Sequence, residues 1–241
     1  MSRRTKKSLL NKQSTSSSSA SGAKATAALN AVFDRFRDSS DAPDTIGQNG
    51  TIEYLEELGV GFDEPVALVI AQLLESPSMA TFTREGFLKG WKSINVNSFD
   101  SMKAAIPTLR SSLADNDTFK RIYLFTFNYA REPPSKSLPL DSAMAYWKLL
   151  LEGRFDTLLP VWFEFLENME KEKNKDLKDG DAAKRKGVVI TKDTWGCLLD
   201  FVKFANEDPG LEKYDLEYGS WPTILDNFVK YFRSKHEMDL S

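Results

Sequence analysis

Apolar residues along this chain recur at three-and-four spacing from Ala31 to Phe232, with few stretches in which they alternate one by one with polar residues. That period gathers them on one side of a helix rather than on one face of a strand. Gly, Pro, Asn and Asp punctuate the pattern, which predicts helices at about 27–37, 50–59, 64–75, 83–92, 98–114, 116–131, 141–152, 155–171, 192–206 and 221–234. Pro107 should end or kink the fifth. Glu132-Pro133-Pro134 stops the sixth, and Gly153 sits where a left-handed residue closes the seventh.

Two of these helices carry more information than the rest. EPVALVIAQLLE at 64–75 is apolar nearly all round, so it is expected to be buried on more than one side, as core or as one wall of a hydrophobic pocket. In the last helix Trp221, Ile224, Leu225, Phe228, Val229 and Phe232 form one continuous stripe, with Pro222 in the first turn. Asp226 lies at the edge of that stripe and Asp193 in the first turn of the preceding helix. Each has an ordinary reading, because an acid in a first turn complements the helix dipole and an Asp beside an apolar stripe is solvated.

FDRFRDSSDAPDTIGQNGTIEYLEELG at 33–59 has the outline of a helix, an Asp-rich loop and a second helix, the plan of a calcium-binding EF-hand. Such a loop needs oxygen ligands at its first, third and fifth positions, glycine at the sixth and a bidentate glutamate at the twelfth. Counting from Asp38, the third, fifth, sixth and twelfth places hold Ser40, Ala42, Pro43 and Asn49. The calcium chemistry is missing, although the helix pair can survive. The expected fold class is all-α: a compact helical domain with EF-hand-like helix-loop-helix units in the first half and a C-terminal helical subdomain.

With 241 residues, 41% of them hydrophobic, the chain can bury a substantial core. No run approaches the roughly 20 apolar residues that cross a bilayer, so no membrane role is expected. The charge is uneven: residues 1–30 hold six cations and no acid, which leaves −9 on the remainder of a chain whose formal net charge is −3. An acidic body attracts basic partners and does not favour nucleic acid. The Ser-rich, basic segment 1–30 has too little apolar surface to offset its ordering entropy and is expected to be a disordered tail. An acid-free, Arg/Ser-rich start also resembles a transit peptide or a nuclear address. Residues 171–187, KEKNKDLKDGDAAKRKG, are expected to be a solvated charged loop, and 235–241 a flexible C-terminus.

Cys197 and His236 are the only cysteine and histidine. One cysteine supports neither an internal disulfide nor a zinc site, so no metal or cofactor is expected, and a reducing intracellular compartment, nucleus and cytoplasm, fits. A nucleophilic thiol needs a base or a cationic setting, and the lone histidine lies in the tail KHEMDLS. Cys197 therefore reads as a small core residue beside the Trp195, Leu198, Val202 stripe. No phosphate loop, Ser-His-Asp order or paired carboxylate motif appears, so catalytic residues are not expected.

KDTWGCLLDF at 192–201, YGSWPTILDNFVKYF at 218–232, FTFNYARE at 125–132 and LDSAMAYWKLLLEGRF at 140–155 resemble, as a set, the potentiating-neddylation domain of the defective-in-cullin-neddylation family, over about residues 31–234. The resemblance implies a non-catalytic scaffold-type co-ligase, with EF-hand-like units that do not serve calcium. Such a protein holds a cullin and the charged, N-terminally acetylated neddylation conjugating enzyme together with the RING subunit. It also implies a monomer. The family's cullin-binding patch, which meets the cullin's C-terminal winged-helix domain, maps onto Asp193, Ser220 and Asp226, with serine standing where the family has alanine. Its pocket for the acetylated N-terminal methionine maps onto Ala67, Leu68, Ile70, Ala71, Leu74, Phe82, Tyr129, Tyr146 and Leu149. Near Phe62 and Met79, where the acetyl group is oriented, the chain departs from the family pattern. Residues 1–30 are too short and polar for the ubiquitin-associated domain that many relatives carry, so a form without it is expected. Two other readings compete on the residues alone: a degenerate EF-hand-like adaptor for another amphipathic peptide, and a thiol enzyme using Cys197.

Overall fold

A computed structural model describes residues 14–175, 187–217 and 219–239. Ten helices account for most of them: α1 (Ser14–Phe36), α2 (Gln48–Glu57), α3 (Pro65–Leu73), α4 (Arg84–Ser93), α5 (Phe99–Ser112), α6 (Asn116–Ala130), α7 (Leu140–Leu151), α8 (Leu159–Asn174), α9 (Lys192–Glu207) and α10 (Thr223–Asp239). The all-α expectation holds. Four short strands accompany them: β1 (Thr45–Ile46), β2 (Phe82–Thr83), β3 (Ser137–Pro139) and β4 (Val189–Thr191). None of these helices is long and apolar enough to cross a membrane.

The described residues fall into two compact units. The first comprises the chain through Gly61 together with Leu73–Leu109. Here β1 pairs antiparallel with β2, Thr45 opposite Thr83 and Ile46 opposite Phe82, so one small ribbon joins the α1–β1–α2 arm to β2 and α4. Tyr54, fully buried on α2, meets Phe36 at 5.1 Å, Phe87 at 5.5 Å and Phe82 at 5.9 Å between ring centroids. Close backbone contact requires glycine on α4: a Cβ at Gly86 would lie 2.2 Å from the Leu74 carbonyl oxygen, and one at Gly90 2.3 Å from that of Leu73. Arg84 joins the α1–β1 arm to α4, donating to Asp44 and Asp34 while its guanidinium lies over the Phe33 ring at 4.3 Å.

In the loop between α1 and β1 the acids are taken up by the chain itself. Asp38 Oδ1 accepts from the Ser40 N–H at 2.8 Å, and Asp41 Oδ2 from the N–H groups of Asp38 and Gly47 at 3.0 and 2.9 Å. These carboxylates brace a turn.

The second unit holds Phe62–Gln72 and the chain from Arg110 onward. Its strands β3 and β4 pair antiparallel, Leu138 opposite Ile190, and tie α6–β3–α7 to α8–β4–α9. Helix-strand-helix units are thus present in the second half as well as the first, which the sequence reading had confined to the first. Three fully buried tryptophans build the core: Trp147 stacks on Trp195 at 5.2 Å and meets Trp162 edge-on at 5.6 Å, and Trp162 meets Phe228 of α10 at 5.1 Å. Their polar atoms are largely matched. Tyr123 Oη donates to the Trp195 carbonyl and accepts from Trp147 Nε1, while Trp195 Nε1 donates to the Tyr123 carbonyl, each at 2.9 Å.

Several boundaries differ from the expectation. α1 begins at Ser14, inside the stretch 1–30 expected to be disordered, because Leu29, Phe33 and Phe36 supply a buried stripe at helical spacing; residues 1–13 lie outside the described residues. α10 continues to Asp239 through the segment 235–241 expected to be flexible, with residues 240–241 outside the description. α8 runs to Asn174, into the expected loop 171–187, of which 176–186 are likewise outside. α5 contains Pro107 without ending there, whereas Gly153, at φ +76°, takes the left-handed conformation expected after α7.

Candidate protein-binding site

Asp193 owes its place to the start of α9. Thr191 adopts an extended N-cap conformation and its Oγ1 accepts from the Thr194 N–H at 3.1 Å, which fixes where the helix begins. Asp193 then falls in the first turn, exposed, beside Lys192. Among the described residues its carboxylate makes no ion pair, and its one polar contact is the Cys197 thiol, with Sγ 3.9 Å from Oδ1.

Asp226 sits in the first turn of α10, half-buried, and is held from the side. Tyr214 Oη donates to its Oδ1 at 2.8 Å. Tyr214 is only 4% exposed, its ring stacked on Trp221 at 6.1 Å and set edge-on to Phe201 and Phe204, both at 5.9 Å. Burial first, then the Asp226 carboxylate, push the Tyr214 hydroxyl well above its ordinary pKa, so it remains a donor. Arg233 secures the approach to this tyrosine by donating from Nη2 to the carbonyls of Leu211 and Tyr214 at 2.7 and 2.9 Å.

Ser220 is exposed immediately before Trp221. Gly219 precedes it because a Cβ there would stand 2.7 Å from the Asp215 carbonyl and 2.9 Å from the Trp221 ring. Trp221 packs edge-on against Phe201 at 5.9 Å. Tyr214 and Trp221 thus gather Ser220 and Asp226 beside the middle of α9. Asp193 stands at the start of that helix, eight residues before Phe201, about 12 Å of helical rise away. Periodicity gave no hint of Tyr214 or Arg233, since the first lies in a loop and the second on a helical flank; only a polar tyrosine in an otherwise acidic turn could have drawn notice.

Cys197 is not the core residue expected from its spacing. It is half-exposed, one turn beyond Asp193, whereas Trp195, Leu198 and Val202 are buried. Burial and the neighbouring Asp193 and Asp200 charges raise its thiol pKa, the opposite of what a nucleophile needs. His236 lies against Phe232 on α10, ring centroids 4.7 Å apart.

The expected methionine-pocket residues divide by burial. Leu68, Ile70 and Ala71 of α3 are buried, as are Leu74 and Phe82 in the first unit. In the second unit Ala67 of α3, Tyr129 of α6, and Tyr146 and Leu149 of α7 are half-exposed. Burial, assisted by nearby Tyr129, pushes the Tyr146 pKa up to about 12, so its hydroxyl stays neutral.

Residues 101–231 match the protein-family model described as Cullin binding. That span contains Asp193, Tyr214, Ser220 and Asp226, and also Tyr129, Tyr146 and Leu149, but not α3. The chain is 33% identical over 203 residues to Defective in cullin neddylation protein 1 of Yarrowia lipolytica, covering 84% of this chain and 76% of that protein. It is 34% identical over 200 residues to DCN1-like protein 4 of Homo sapiens, covering 83% of this chain and 62% of that protein, which is less than two thirds of its length. To DCN1-like protein 5 of Rattus norvegicus it is 34% identical over 188 residues, covering 78% and 71%.

Proposed function

The chain belongs to the defective-in-cullin-neddylation family, and from that premise we propose that it binds a cullin and promotes its neddylation as a non-catalytic scaffold. In this reading the bond-making cysteine belongs to the conjugating enzyme. The scaffold supplies proximity and orientation, converting part of a bimolecular encounter into an intramolecular one.

The observation that carries the proposal is the contrast between two carboxylates within the family-matched segment. Asp193 is exposed and makes no ion pair among the described residues, and Asp226 is aimed by a buried tyrosine. A folded chain gains little from the first for its own stability, whereas a basic partner surface gains from both. Where such pairs are desolvated in the complex, losing one costs about 2–5 kcal/mol; at a wet rim it costs far less. In this reading Ser220 puts a hydroxyl where the family's cullin patch has a small apolar residue.

In this reading the conjugating enzyme's acetylated N-terminal methionine meets the half-exposed Ala67, Tyr129, Tyr146 and Leu149, while Leu68, Ile70 and Ala71 are buried. A buried methionine side chain contributes about 1.5–3 kcal/mol. A neutral Tyr146 suits an acetyl group, which has itself lost the ammonium charge that is costly to desolvate.

The test is a reconstituted reaction with cullin, RING subunit and charged conjugating enzyme. Addition of this chain accelerates transfer, and Asp193→Ala with Asp226→Ala removes the acceleration while binding of an acetylated peptide persists. No acceleration by the unaltered chain would overturn the proposal.

A further inference from the structure

A groove of about 580 Å³ runs between α6 and α9, and Asp193 stands at its mouth. Its lining combines the apolar residues Leu124, Phe127, Trp195 and Leu199 with the charged residues Lys120, Lys192, Asp193 and Asp200. Leu124 projects from α6 with 40% of its surface exposed, although its chain neighbours Tyr123 and Phe127 are buried. Opposite it, α9 offers no side chain at Gly196: a Cβ there would meet only the Leu124 Cδ2, at 4.0 Å, with open space otherwise. Cys197 adds a half-exposed thiol, and Phe127, Trp195 and Leu199 close the bottom. The raised thiol pKa keeps Cys197 uncharged at neutral pH.

The polar residues around this floor are unequally occupied. Asp200 faces Lys203 one turn on, Nζ to Oδ1 at 3.6 Å, whereas Asp193 makes no ion pair among the described residues, although Lys120 and Lys192 line the same groove. An apolar depression thus adjoins a free carboxylate on the same helix face, within one turn. Resting on the reading of Asp193 as a cullin contact, we propose that the α6–α9 groove extends that contact. It seats an aliphatic side chain of the cullin against Leu124, Gly196 and Cys197, while Asp193 pairs with a lysine or arginine about one helical turn away on the cullin.

Continuity and charge select this occupant. Any segment whose cation reaches Asp193 must lie across or beside the groove, and burying Leu124 there removes apolar surface that the free chain leaves in water. Gly196 makes the depression deep enough for a side chain and becomes a determinant of specificity, because a longer side chain there would fill the space the partner needs.

The test measures affinity of the full chain for intact cullin bound to its RING subunit. Four variants are compared: Leu124→Asp, Gly196→Gln, Leu124→Met and Asp193→Ala. Leu124→Asp and Gly196→Gln weaken binding by about tenfold or more, from the loss of one buried aliphatic contact. Leu124→Met stays within about threefold, since it conserves volume and apolarity. Leu124 and Gly196 are both surface positions, so unfolding temperatures should be preserved, and whichever of the two variants retains its unfolding temperature decides the result. Wild-type affinity in both, with Asp193→Ala impaired, removes the groove from the contact and leaves the cullin reading standing. Wild-type affinity in Asp193→Ala as well overturns both. A change in self-association with cullin affinity unaltered assigns the groove to a second copy of this chain and likewise overturns the proposal.

Discussion

Asp226→Ala should damage this protein in two ways that a second substitution separates. The carboxylate is the acceptor for Tyr214 Oη at 2.8 Å, and Tyr214 is 4% exposed, so removing the acceptor leaves a hydroxyl that water reaches poorly. An orphaned buried donor costs about 1–3 kcal/mol. For a domain of this size each kcal/mol lowers Tm by about 2–4 °C. Tyr214→Phe in the Asp226→Ala background removes the stranded hydroxyl while keeping the ring against Trp221, Phe201 and Phe204. The double variant should therefore regain most of the lost stability, since deleting both partners of a hydrogen bond is nearly neutral. Its affinity for cullin should not recover, because the carboxylate itself is gone. Urea unfolding of the wild type, both single variants and the double variant measures the coupling directly. Additive losses would mean that the bond contributes nothing, and recovered binding in the double variant would mean that Asp226 acts only by holding Tyr214.

Three further outcomes follow from the same contacts. Tyr123→Phe strands Trp147 Nε1 in the second unit's core and takes a second donor from the Trp195 carbonyl, which should cost about 1–3 kcal/mol in urea unfolding; a loss within experimental error would show that the ring stacking alone holds these tryptophans. Glu164 is held below its ordinary value of 4.5 by the Lys235 ammonium first and the Tyr231 hydroxyl second. Its contribution to stability is therefore full above that value and is lost as pH falls through the lower folded pKa. Glu164→Gln should flatten the decline in Tm on acidification below about pH 4.5, and an unchanged profile would assign the decline to other acids. Cys197 should react with iodoacetamide more slowly than a free cysteine at neutral pH, and faster once Asp193→Asn removes a neighbouring negative charge; fast alkylation of the unaltered chain would contradict the raised thiol pKa.

Part of the fold could be read from local pattern because several helices carry their own start. Thr83, Asp115 and Thr191 each cap the helix that follows, accepting the N–H of Gly86, Thr118 and Thr194. What escaped depends on residues far apart in the chain. A two- or three-residue strand such as β3 has too few positions to show a period, and it exists only because β4, some fifty residues later, pairs with it. α1 is described from Ser14, and its buried residues Leu29, Phe33 and Phe36 all lie in its C-terminal half. Cys197 misled for a related reason: helical spacing puts it beside buried residues, but how wide the buried arc of α9 is depends on what packs against it.

The candidate site divides along the same line. Residue identity alone placed Asp193 in a first turn and Asp226 at the edge of an apolar stripe, because caps and stripes are local, and it made catalysis by a lone cysteine without a base implausible on chemical grounds. Tertiary structure decided that Tyr214 grips one carboxylate while the other makes no ion pair among the described residues, that Leu124 is exposed above a glycine, and which of the residues expected to line the methionine pocket are exposed. Those facts follow from side chains meeting across separate helices, where burial turns a modest hydrogen bond into a costly one to break and leaves a charge either matched or free for a partner.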